Sequence, residues 1–146
     1  MKLIDFLLKK TNALELCVIR EGGWTVATCW IDYEDLFSIV PDDINELILS
    51  YSNINNNGIK TKRIILNKLY NYLLSDIEKY KSYNSSIFSS IKLVINKMGV
   101  VGDIDKKYQN LSNYKLRKYY DYCFNMMTYL LRTEAINKYK EELKSE

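Results

Sequence analysis

One short stretch, Asn53-Ile54-Asn55-Asn56-Asn57-Gly58, sets the strongest limit on how this sequence can fold. Asparagine and glycine favour turns and left-handed backbone over helix or strand, so regular structure has to stop before this stretch and start again after it. The 146-residue chain is thereby divided into a module at 1–52, a linker at 53–58 and a module at 59–146. The two sides differ in charge. Residues 1–52 hold four basic and nine acidic residues, a net of −5, and the remainder holds 17 basic and nine acidic residues, a net of +8. Such asymmetry points to two surfaces for different partners, or to a dipolar molecule that orients as it approaches one.

The chain has no histidine, which excludes Ser-His-Asp and Cys-His catalysis and every histidine-containing metal site. The three cysteines, Cys17, Cys29 and Cys123, form an odd and sparse set and read as reduced thiols in a cytosol. Gly99-Val100-Val101-Gly102-Asp103 lacks the glycine and lysine spacing of a phosphate loop. Asp103 and Asp105 alone are too few to argue for a metal. No cofactor is expected. No apolar run approaches a membrane span, and Asp5 interrupts the apolar start, so neither a signal peptide nor a membrane partner is expected and the expected location is cytoplasmic. The 17 Lys, 16 Ile, 14 Asn and 13 Tyr all use AT-rich codons. A Lys/Tyr-rich surface therefore carries less weight here as a sign of nucleic acid.

Periodicity predicts an α+β fold. Residues 2–11 read as a short amphipathic helix, and 14–20 and 25–31 as a hairpin about Gly22-Gly23. Residues 47–52 read as a third strand, after a turn begun by Pro41 with Asp42 and Asp43 at its positive end. The hairpin leaves Ile19, Val26 and Trp30 on an outer apolar face that needs cover, from the later helices or from a partner. Beyond the linker, helices are expected at 60–81, about 86–98 with a serine cap, and from Ser112 or Asn113 to about 143, forming a three-helix bundle.

The residues Lys2-Leu3-Ile4-Asp5-Phe6-Leu7, the Gly22-Gly23 hairpin and Asp35-Leu36-Phe37 with Val40-Pro41 resemble small uncharacterised accessory proteins of phages and mobile elements of low-GC Gram-positive bacteria. The resemblance covers about a third of the chain. It brings no catalytic residues, and it implies a protein acting against a host defence.

Two surfaces stand out. Asp32, Glu34, Asp35, Asp42, Asp43 and Glu46 make an acidic cluster that could occupy a basic groove in place of phosphates. Lys106, Lys107, Tyr108, Tyr114, Lys115, Arg117, Lys118, Tyr119, Tyr120 and Tyr122 interleave charge and rings. Cations there would meet phosphates and tyrosines would meet unpaired bases, although Leu116, Tyr120 and Cys123 belong on the buried side of that helix. Lys60, Lys62 and Arg63 would extend this basic surface if the fold brought them near it. Two expectations follow. The first is a non-enzymatic, anti-CRISPR-like inhibitor that blocks a host protein or ribonucleoprotein complex, most concretely a nucleic-acid-guided nuclease. The second is a DNA- or RNA-binding regulator. Dimerisation through the last helix stays open.

Overall fold

The computed structural model describes residues 39–53 and 58–145. Five helices account for most of them: α1 (Asp42–Ser52), α2 (Ile59–Leu74), α3 (Ile77–Tyr83), α4 (Ser85–Lys97) and α5 (Asn113–Lys144), with a 3-10 turn at Lys106–Tyr108. No strand occurs among the described residues, and the only pairing of strand type there is an isolated antiparallel bridge between Met98 and Ile104. The described residues are mostly helical, and this overturns the expected α+β class with a three-stranded sheet. The expected strands at 14–20 and 25–31 lie outside the described residues.

The third expected strand is the second half of α1. Pro41 stands at the N-cap position, and its carbonyl accepts from the amides of Ile44 and Asn45, both at 3.1 Å. Proline suits a helix start because its fixed φ needs no further ordering. Asp42 and Asp43 then sit in the first turn, where carboxylates favour the helix dipole. Ile44, Ile48 and Tyr51 are buried at helical spacing. Read alone, the six residues from Leu47 to Ser52 are too short to tell a buried strand from a buried helix, and the turn begun at Pro41 decides the matter.

The expected helix over 60–81 is two helices. The stripe Leu73, Ile77, Tyr80 keeps helical spacing across the break, which hides it in the sequence. Asp76 leaves helical geometry, with φ −144° and ψ 62°. The redirected α3 buries Tyr80, whose hydroxyl donates to Glu134 Oε1 on α5 at 2.7 Å, while Lys79 Nζ lies 2.7 Å from Glu134 Oε2. Within α2, Ile64 faces solvent, and Leu66 and Tyr70 complete the buried face instead.

Helix α4 is capped by the Asn84 side chain, which accepts from the Ile87 amide at 3.0 Å, and not by the serines. The cap of α5 is Ser112, whose hydroxyl accepts from the Lys115 amide at 3.1 Å. The long helix packs on α2 and α4, and α1 packs on α2. One apolar core results, with Ile48, Leu66, Leu73, Tyr80, Ile91, Ile95, Tyr120, Met127, Leu130 and Leu131 fully buried.

Between α4 and the 3-10 turn, the chain reverses through Gly99 (φ 85°) and Gly102 (φ 77°). The two glycines differ in surroundings. A Cβ on Gly99 would meet Ile104 Cγ1 at 2.7 Å and Arg63 Nη2 at 3.2 Å, whereas one on Gly102 would meet nothing within 4 Å. Gly102→Ala should therefore cost about 1 kcal/mol, for backbone strain alone. Gly99→Ala should cost about 2–4 kcal/mol, because overpacking adds to the strain. Urea denaturation of the two variants checks the order, and equal losses would contradict it.

Candidate nucleic-acid interface

The N-terminal ends of α2 and α5 come together through one carboxylate. Asp121 Oδ1, on α5, accepts from the Lys62 ammonium at 2.8 Å and from the Tyr51 hydroxyl at 2.7 Å. Lys62 Nζ also sits 4.4 Å from the centre of the Tyr51 ring, and that ring stacks on Phe124 of α5 with 4.1 Å between centroids and an angle of 12°. Three helices meet at this point. The Lys62 side chain is only 10% exposed, whereas that of Asp121 is 43% exposed. The carboxylate thus stands at the edge of the core with its charge partly in water.

This contact decides where the basic residues go. Lys62, Tyr114, Arg117, Lys118 and Asp121 line one open cleft of about 340 Å³. Of Lys60, Lys62 and Arg63, Lys62 lines this cleft with the basic and aromatic segment of α5, and Arg63 lines a second one. Lys115 and Lys118 are exposed and Arg117 is half-buried, while Leu116, Tyr120 and Cys123 are buried on the opposite side. Among the described residues, no carboxylate is paired with Arg117 or Lys118. Lys118 Nζ instead lies 5.4 Å from the centre of the Tyr114 ring. At the start of α2, Lys60 and Lys62 oppose the helix dipole, and the Asp121 carboxylate offsets that for Lys62.

A second cleft, of about 430 Å³, opens beside the first residues of α2 and is lined by Arg63, Gly99, Gly102, Asp103, Ile104 and Gln109. Arg63 Nε donates to the Tyr120 hydroxyl at 2.8 Å, and that hydroxyl donates to the Met98 carbonyl at 2.6 Å. The turn carrying the exposed Lys106 and Lys107 ends beside Gln109. Lys107 Nζ lies 5.7 Å from the centre of the Tyr108 ring. Asp105 is occupied as a cap: its side chain accepts from the Lys107 amide at 3.0 Å and stands 3.6 Å from Lys97 Nζ. That amide, with Lys97, holds its carboxyl below the ordinary range.

The other sequence-derived candidates fall elsewhere. Asp42, Asp43 and Glu46 are exposed on the first turns of α1. Asp32, Glu34, Asp35, Ile19, Val26 and Trp30 lie outside the described residues. Cys123 is fully buried, and burial pushes its thiol pKa well up, which keeps it protonated and unreactive. Among the described residues no group of three or more acidic or cysteine side chains could hold a metal ion, and no helix is long and apolar enough to cross a membrane. No protein-family model, curated protein or solved structure matches the chain. Reasoning from sequence missed Asp121 and Tyr51 as partners of Lys62. The available signal was an aspartate at the margin of the α5 apolar stripe, a place where a carboxylate seeks a cation.

Two outcomes follow. Asp121→Asn strands a nearly buried ammonium and should lower stability by about 1–3 kcal/mol, whereas Lys62→Met removes the charge and should cost less. A double-mutant cycle followed by urea denaturation measures the coupling. The second outcome concerns alkaline pH. Burial raises the phenol pKa of Tyr51, Tyr70, Tyr80 and Tyr120, and for Tyr51 and Tyr80 the neighbouring Asp121 and Glu134 add to it. The folded state therefore holds these protons more tightly than the unfolded chain. That stability is full below the ordinary phenol pKa of 10.0 and is lost as pH rises past it. Urea midpoints should fall steadily above about pH 9, with tyrosinate absorbance appearing as the protein unfolds.

Proposed function

We propose that the chain is a nucleic-acid-binding protein that acts by contact and not by catalysis, using the basic end formed by the starts of α2 and α5. The observation that supports this is the shared cleft of Lys62, Arg117 and Lys118, in which Asp121 is the one carboxylate among the described residues and is already paired with Lys62. Lys115, Lys106 and Lys107 stand exposed on the same α5 segment and on the turn before it. Phosphates are the natural ligand of Arg117 and Lys118, which no carboxylate among the described residues neutralises, because binding releases condensed counterions from the polyanion. The protein would act where nucleic acid is accessible to it, in the cytoplasm of a bacterial cell.

A second reading keeps the protein in the inhibitor class. It rests on the exposure of Asp42, Asp43 and Glu46 on α1, where carboxylates can take the place of phosphates in a partner's basic groove.

One experiment separates the two. Binding to heparin and to a mixture of random oligonucleotides should weaken steeply with salt, the slope reporting the number of phosphates met. Reversing charge at Arg117 and Lys118 should abolish binding at moderate salt, and a single Lys118→Gln should reduce the slope by about one. Neutralising Asp42, Asp43 and Glu46 should leave binding unchanged. A wild-type protein that binds no nucleic acid at low salt would sink the first reading and leave the acidic one standing.

A further inference from the structure

We infer that the nucleic acid taken by this surface is single-stranded, and that Tyr114 and Tyr122 receive its bases. The inference rests on the backbone-binding reading of the same face and adds the class of strand. Most tyrosines of the described residues serve the core. Tyr51, Tyr80 and Tyr120 bury both ring and hydroxyl, and each hydroxyl donates to an oxygen at 2.6–2.7 Å. Tyr114 and Tyr122 do neither. At 63% and 56% exposure they are the most exposed aromatic side chains among the described residues. They stand eight residues apart on α5, two turns along one face, with Lys118 midway between them.

The local geometry suits stacking. Lys118 Nζ hangs 5.4 Å from the Tyr114 ring centre, so a base on that ring brings its phosphate toward a cation. Tyr119 meets Tyr122 at right angles, with 6.4 Å between centroids and an interplanar angle of 84°. An edge contact of this kind restrains Tyr122 and leaves at least one of its faces free for a base. The cleft cations Arg117 and Lys62 border the same stretch of helix. Eight residues of helix span about 12 Å, a distance that an unstacked single strand crosses in a few nucleotides. A duplex has its base faces covered by stacking, so exposed rings would add nothing to its binding. A single strand offers a face at every nucleotide.

The test compares labelled oligothymidylate with a duplex of equal length at the same salt, by fluorescence anisotropy. The single strand should bind at least several-fold more tightly, and its affinity should rise with length up to about four nucleotides before flattening. Tyr114→Leu and Tyr122→Leu should each weaken single-strand binding by roughly five-fold or more, with the duplex affinity and the salt slope unchanged. Tyr122→Phe should retain affinity, because stacking uses the ring and not the hydroxyl. Both positions are exposed, so unchanged thermal melts will confirm that the variants fold. Equal affinity for the duplex with silent tyrosine variants would overturn the inference and leave the backbone-binding reading intact. Absence of any binding at low salt would remove both. Sedimentation supplies a third outcome: if the leucine variants turn a dimer into a monomer while oligonucleotide binding is unaltered, this face belongs to a second copy of the chain and the inference fails.

Discussion

The carboxylate of Asp121 is the contact on which the described fold turns. It gathers an ammonium from α2 and a phenol from α1 onto α5, and the ring of that phenol lies flat on Phe124 one turn along. A lysine so nearly buried needs a counter-charge, because desolvation would otherwise cost more than its packing returns. Satisfying Lys62 therefore fixes how the start of α2 approaches α5. The two basic clefts at this end inherit their place from that approach: the cleft with Arg117 and Lys118 on one side, and the Arg63 cleft with its glycine-containing loop on the other.

A second carboxylate does comparable work farther along α5. Glu134 takes the Tyr80 hydroxyl on one oxygen and the Lys79 ammonium on the other, which anchors α3 after the chain has broken from α2. The long helix thus carries two acidic anchors at the edge of an apolar stripe, each serving a tyrosine and a lysine from another element. Repetition of this arrangement explains why a tyrosine-rich chain can bury so many phenols. The hydroxyls of Tyr51, Tyr80 and Tyr120 each have an acceptor, which offsets the cost of taking them out of water.

Local signals in the sequence were enough for the helices they govern. A cap at Ser112 or Asn113 and the stripe from Leu116 to Leu131 foretold α5, and the spacing from Ile87 to Met98 foretold α4 within a residue at each end. Where competing local signals had to be weighed, the outcome depended on tertiary contacts. Leu47–Ser52 suited either a strand or a helix, and the turn begun at Pro41, with Ile44, Ile48 and Tyr51 buried in one helical register and Tyr51 stacked on Phe124 of α5, made it a helix. The Ser75-Asp76 break left no mark on the hydrophobic period, because α3 resumes the stripe in phase. The candidate interface was half legible. Its α5 residues form one run, so their alternation of charge and ring was visible, but nothing local to Lys62 says that Asp121 is its partner. The acidic and hairpin candidates before residue 39 stand outside what the structure describes.

The Tyr120 hydroxyl has one further consequence. Its oxygen accepts from Arg63 and its proton goes to the Met98 carbonyl, and the side chain has no exposed surface. A phenol with both donor and acceptor committed cannot rotate without breaking a bond, so the arginine that leans on it has lost most of its rotamer freedom already. An unrestrained arginine carries about 2 kcal/mol of such freedom. Any anion entering the second cleft would meet a guanidinium whose ordering was completed when the chain folded, and its association would not have to freeze that side chain again.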